Sequence, residues 1–228
     1  MMIDRAIASL TPMIVSHVVL SLPEVDALCT RAARGANYSW GISEECGRAV
    51  SWLAAERFEW APVLLRRLNG PRGGGVVPKP KNWDSDGPVC ALYAGTTLAD
   101  FAALPEGPGR DRVEIGRVHD PLLSLPFVAQ AATITGQTLS CYLDGTLWAH
   151  VSDQALHVLV PDMSNMTEAL LAVEPCIMSA PLAVTSSQAT SDITKQNYAA
   201  LSAIALRMTV PATAESATRA GGTKSDND

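Results

Sequence analysis

The sequence predicts an α+β protein with an N-terminal helical unit, an antiparallel sheet carrying packed helices, a long C-terminal helix and a polar tail. Three observations lead there. Residues 21–68 hold helix caps and apolar positions at helical spacing, residues 113–160 hold alternating runs joined by a hairpin turn, and "GPRGGGVVPKPKNWDSDGP" parts the two regions. The 228 residues are 47% hydrophobic and 18% charged, a globular composition, long enough to bury about 70–75% of the unfolded surface. The expected organisation is a helical unit over 1–69, a Gly/Pro-rich loop over 70–88, an α+β domain over 89–212 and a polar tail over 213–228.

The first helix, 21–34, starts at "SLPE", where Ser21 caps, Pro23 sits in the first turn and Glu24 completes a capping box. Val25, Leu28, Cys29 and Ala32 form its apolar face, and Gly35 stands where a left-handed residue would end it. In "YSWGISEECGRAVSWL" Ser43 is the expected cap of a second helix, with Glu44 and Glu45 in its first turn and Cys46, Val50, Leu53 and Ala54 as its buried stripe. Trp52 then points away from that stripe and needs a second surface to cover it. A third helix runs from Ala61 to Leu68 and stops at Asn69-Gly70.

Beyond the Gly/Pro-rich loop, "VCALYA" reads as a strand, Thr97 and Asp100 as a capping box over "LADFAAL", and "RVEIGRV" as another strand. Residues 122–135 read as a helix interrupted early by Pro126 and ended by Gly136. "TLSCYLDGTLWAHV" is the strongest local signal, because Asp144-Gly145 between alternating runs makes a type I′ hairpin, with "ALHVLV" as a third strand. Residues 161–185 suggest a short helix or turn at "PDMSNMTEALL", then an edge strand across "CIMSA". The last helix takes Ser191 or Asp192 as its cap and Ile193, Asn197, Leu201, Ile204 and Met208 as its row.

Net charge of −6, with no basic run longer than Arg66-Arg67, disfavours nucleic acid and anionic membranes as partners. Five scattered cysteines without a CxxC spacing indicate neither a disulfide framework nor a zinc knuckle, so a cytoplasmic location is expected. The apolar stretch at the N-terminus is too interrupted to span a bilayer. The first dozen residues are either a weak leader or an upstream extension, since a strand-like stretch begins at Met13.

Two residue sets carry a family resemblance. The first is Ala33, Arg34, Gly35, Ser39, Trp40, Gly41, Glu44, Glu45, Trp52, Leu53 and Ala54; the second is Arg207, Val210, Pro211, Ala212, Glu215, Ser216, Gly221, Gly222, Asp226, Asn227 and Asp228. Together they resemble an uncharacterised bacterial family, domain of unknown function 3726. The chain departs from that pattern at Ala217, where the family has arginine, and in the thinner glycine segment "AGGTKS". The resemblance implies no reaction and no cofactor. A fainter similarity links the first two helices to the malate/lactate dehydrogenases that lack a Rossmann fold, but the Ser-His-Gly that should follow is absent.

Hairpin geometry places Cys141 opposite Trp148, Leu139 opposite His150 and His150 opposite His157, so Cys141, His150 and His157 are weak metal candidates on one sheet face. Packing beneath a helix is the competing account of the same residues. Asp226, Asn227 and Asp228 are candidates for a docked, cation-binding tail, against a frayed and solvated one. Glu44 and Glu45 diverge by about 100° on a helix and cannot act as a facing carboxylate pair. Cys46 at a helix N-terminus beside Arg48 is a conceivable nucleophile, or a small core residue.

The residues set apart for a ligand or docked tail are Tyr38, Trp40, Gly41, Glu44, Arg48, Trp52, Arg207, Asp226, Asn227 and Asp228. Two functions fit them: a non-catalytic binding or accessory protein that meets a second copy or another protein, or an enzyme or small-molecule binder with its site between helical unit, sheet and tail.

Overall fold

The computed structural model describes residues 16–160, 163–176 and 187–208. Within them the chain is α+β, with six α-helices and a six-stranded sheet. A strand, β1 (His17–Ser21), runs straight into α1 (Leu22–Gly35). The Ser21 N–H and hydroxyl both donate to the Glu24 carboxylate, at 2.8 and 2.7 Å, and those bonds, the hydroxyl's first, hold the carboxyl below its ordinary pKa. Val25, Leu28, Cys29 and Ala32 are buried as their spacing predicts.

Gly35 does not take the left-handed conformation. It is the last helical residue, and the positive φ falls on Asn37 at 63°. Glycine is needed at 35 for proximity: a Cβ there would overlap the carbonyl of Ile204, lying 2.7 Å from its carbon.

The second helix, α2 (Trp40–Ala55), begins one turn earlier than Ser43 predicts, because Ser39 holds the extended N-cap conformation and Ser43 lies buried within, its hydroxyl donating to the Ser39 carbonyl at 2.8 Å. Glu44 and Glu45 therefore sit in the second turn. Cys46 is fully buried there, away from the helix end, and desolvation pushes its thiol up rather than activating it. Val50, Leu53 and Ala54 complete the stripe. The third helix, α3 (Trp60–Asn69), matches the sequence to within a residue at each end.

Between residues 70 and 88 the chain is pinned. Here β2 (Val76–Val77) pairs with β3 (Asp84–Ser85), and buried Trp83 donates its indole N–H to the Glu106 carbonyl at 2.8 Å. The expected strand "VCALYA" is strand only at β4 (Val89–Cys90); α4 (Ala91–Asp100) begins directly after it. Thr97 is interior to that helix, where its hydroxyl bonds back to the Tyr93 carbonyl at 2.8 Å, so it caps nothing.

Strand β5 (Val113–His119) leads through a 3₁₀ turn (Pro121–Ser124) to α5 (Leu125–Thr135). Pro126 falls in the first turn of α5 rather than interrupting it, and Gly136 closes it at φ 64°. The hairpin β6 (Leu139–Leu143) and β7 (Thr146–Val151) turns at Asp144 and Gly145, φ 47° and 77°, and β8 (Leu156–Val158) follows.

Where the sequence suggests a short helix or turn at "PDMSNMTEALL", its end is strand: β9 (Glu168–Pro175) lies between β5 and β6. Ala169, Leu171 and Val173 alternate inward without a proline until the strand's last residue. The "CIMSA" strand falls, apart from Cys176, outside the described residues. Ser191 and Asp192 are not a helix cap; they belong to β10 (Thr190–Thr194), paired with β1, and Thr194 caps α6 (Lys195–Ala205) by accepting the Asn197 N–H at 3.1 Å. Met208, the last of the predicted row, lies past α6 and is exposed.

The sheet order is β4-β5-β9-β6-β7-β8, antiparallel except for the parallel pair β4–β5, so the expected all-antiparallel sheet is mixed. One face, with Val113, Val118, Leu171, Val173, Leu139, Cys141 and Val151, is buried in the core under α4 and α5, and α2 packs on those helices in turn. The opposite face carries Glu114, Arg117, Glu168, Leu170, Tyr142, His150 and His157, none of them buried.

Candidate functional site

Four residues of α2, Glu45, Arg48, Ala49 and Trp52, with Glu56 at its C-cap, follow one another at i, i+3, i+4, i+7 and i+11 and so share one side of the helix. That face forms one wall of a groove of about 440 Å³. Pro126, Ala129, Gln130 and Thr133 of α5 form the other wall, and the β7–β8 turn closes one end with Asp153 and Gln154. The turn is held by Ser152, whose N–H donates to the Ala155 carbonyl at 2.8 Å and whose hydroxyl accepts the Ala155 N–H at 3.0 Å.

The groove's lining is mixed, with polar surface slightly exceeding apolar surface. Phe127 sits beneath it and lies against Gly95 of α4, where a Cβ would come within 2.6 Å of the ring. Trp52 is half-buried, stacked on Phe58 with ring centroids 6.4 Å apart and planes 18° off parallel. The rim is acidic: Glu45, Glu56 and Asp153 face a single cation, Arg48. Arg48 lies 2.5 Å from Glu45, a bond that raises its pKa further, and Glu56 accepts the Ser187 hydroxyl at 2.5 Å.

Of the residues set apart from sequence, Arg48 and Trp52 line this groove. Trp40 does not; it is 60% exposed at the start of α2, its indole N–H on Glu44 at 2.8 Å and its ring 5.2 Å from the Arg34 guanidinium. Gly41 beside it is exposed. Tyr38 is buried elsewhere, its hydroxyl 3.6 Å from the Cys90 sulfur. Arg207 is exposed in the 3₁₀ turn Leu206–Met208, and Asp226, Asn227 and Asp228 lie outside the described residues. Sequence reasoning missed Glu56, Gln130, Thr133, Asp153 and Gln154; the polar positions spaced around Trp52 were the available signal for the first of them.

The hairpin register also differs from expectation. A β-bulge between Cys141 and Tyr142 sets Cys141 opposite Ala149 and Ser140 opposite His150, while His150 does face His157. Cys141 therefore lies in the core, on the opposite face from both imidazoles. His150 instead meets Ser140 Oγ at 3.0 Å and Cys176 Sγ at 3.3 Å, both through Nδ1. Among the described residues no group of three or more His, Cys, Asp or Glu side chains is placed to hold a metal ion.

Burial, and next the neighbouring His157, lower the His150 pKa below its ordinary value. A depressed imidazole pKa favours the folded state above the unfolded value of about 6.5, and that contribution is lost as pH falls toward the folded pKa. His150→Gln is thus expected to flatten the acid side of a Tm-versus-pH curve below about pH 6.5. An unchanged slope in that window would contradict the assignment.

An α+β fold with a groove between a helix pair and a hairpin turn is the class these features define. Residues 20–111, a span that includes the α2 wall, match the family model described as "Protein of unknown function (DUF3726)". No curated protein and no solved structure matches the chain. The C-terminal residues of the resemblance fall outside the matched span. Among the described residues no helix is long and apolar enough to cross a membrane.

Proposed function

We propose that the protein is a binding protein whose ligand is a small organic cation with an apolar body, held between α2, α5 and the β7–β8 turn. The observation that carries this reading is a groove whose mixed lining sets the Trp52 ring beside three carboxylates and one arginine among the described residues. Apolar surface removed from water contributes about 25 cal/mol per Å², and an ammonium held near an indole adds about 0.5–2 kcal/mol. Glu45 is already bonded to Arg48, so Glu56 and Asp153 are the carboxylates that would face the ligand's charge. The reading needs no group that changes protonation during turnover, and it suits a site between the N-terminal helices and the sheet layer.

A thermal-shift and calorimetric panel of aliphatic and aromatic amines, each beside its isosteric carboxylic acid, tests it. Amines are expected to raise Tm and the acids to leave it unchanged. Trp52→Ala should weaken the best amine about tenfold or more, consistent with losing roughly 1.4 kcal/mol or more of aromatic contact. Equal binding of acids and amines, or an amine whose affinity ignores Trp52, would sink the proposal.

A further inference from the structure

We propose that Cys176 is a reactive thiol, assisted by His150, that exchanges with low-molecular-weight disulfides and so makes the open sheet face a site of reversible S-thiolation. Cys29, Cys46, Cys90 and Cys141 are buried, and desolvation pushes the thiols of Cys29, Cys46 and Cys141 up. Cys176 alone is partly accessible. It lies at the end of β9, where its N–H donates to the Thr138 carbonyl at 2.8 Å and fixes the backbone. From there its sulfur stands 3.3 Å from Nδ1 of His150.

The imidazole is oriented for this role. Ser140 Oγ and Cys176 Sγ both lie within hydrogen-bond distance of Nδ1, and in the tautomer with its hydrogen on Nε2 that nitrogen can accept the thiol proton. The groups facing this pair are His157 from β8, its ring 6.4 Å from that of His150, Glu174 from β9, opposite Ser140, and Tyr142 from β6. Glu174 is occupied by Tyr142, whose hydroxyl donates to it at 2.7 Å, and by Arg112 at 3.1 Å, so its charge is bound away from the thiol.

The step balances without a further reagent. Nδ1 takes the thiol proton as the Cys176 sulfur attacks one sulfur of a disulfide RSSR; the Cys176–S–SR bond forms, the S–S bond of RSSR breaks, and the departing RS⁻ recovers the proton from His150. The cysteine sulfur is oxidised by one level and the leaving sulfur is reduced by one level, so the exchange needs no outside oxidant.

The full chain, kept folded and incubated with oxidised glutathione, tests this by acid-quenched peptide mass mapping. One adduct is expected, on Cys176. His150→Gln should slow its formation about tenfold through the loss of base assistance to the thiol. Adducts on other cysteines of the folded chain, or an unchanged rate in His150→Gln, would each overturn the proposal.

Discussion

Replacing Asp120 with alanine is expected to lower the unfolding free energy by about 3–5 kcal/mol, because it strands a buried arginine. Asp120 is 3% exposed and follows β5 directly. Its two carboxylate oxygens divide the end of α3 between them: Oδ1 takes Arg66 Nε at 2.5 Å, and Oδ2 takes Nη1 of Arg67, itself 1% exposed, at 3.2 Å. Arg66 also donates to the carbonyls of Ser164 and Met166, and Arg67 to that of Pro71. Removing the carboxylate would leave the Arg67 charge without its counter-ion in the interior, the costly half of a broken buried pair. For a chain of this size each kcal/mol moves Tm by about 2–4 °C, so a thermal melt should drop by roughly 6–20 °C. Asp120→Asn, which keeps a side chain tolerant of the φ of 55°, should fall between wild type and alanine. A melt within about 2 °C of wild type for Asp120→Ala would show that the pair contributes little.

The second large effect is at a glycine. Gly35→Ala should destabilise by about 1–3 kcal/mol, since the added methyl meets the backbone carbonyl of Ile204, which cannot rotate aside as a side chain would. Alanine's better helix propensity, about 0.5–1 kcal/mol, opposes this and is the smaller term. Gly41→Ala supplies the contrast: nothing lies within 4 Å of a Cβ at that exposed position of α2, so the same substitution should stabilise by about 0.5–1 kcal/mol. Chemical denaturation of the two variants in parallel should give opposite signs. Matching signs would remove the steric account of Gly35.

These two residues also show where the sequence was legible. Short-range physics was: the Ser21–Glu24 box, the Asp144-Gly145 hairpin and the apolar stripes of α1 and α2 are each set by residues within a turn or two, and they stand where the periodicity puts them. Signals with two local readings went astray. Gly35 ends a helix in either account, but whether it serves conformation or proximity depends on α6, far along the chain. Ser39 and Ser43 are both good caps, and burial of Ser43 decided between them. The Cys141 bulge shifted a register that no propensity reports, and with it the partners of His150. The groove itself combines α2, α5 and a turn about a hundred residues along the chain from α2. Only its α2 members, Arg48 and Trp52, were marked in advance, because an amphipathic helix displays its unexplained residues even when the opposite wall is unknown.

The pairing of β1 with β10 has a kinetic consequence. Ser21 and Thr190 are register partners 169 positions apart, and α1 closes its Gly35 surface only against α6. During synthesis at about 5–20 residues per second, the first helix would wait roughly ten to thirty seconds for the segment that completes it. Until then β1 is an unpaired edge beside the part of α1 that meets α6, although α2 already covers the rest of that helix's apolar stripe. The order of emergence thus makes residues 190–205 the closing step of folding, and a chain stopped short of them would leave its N-terminus unfinished.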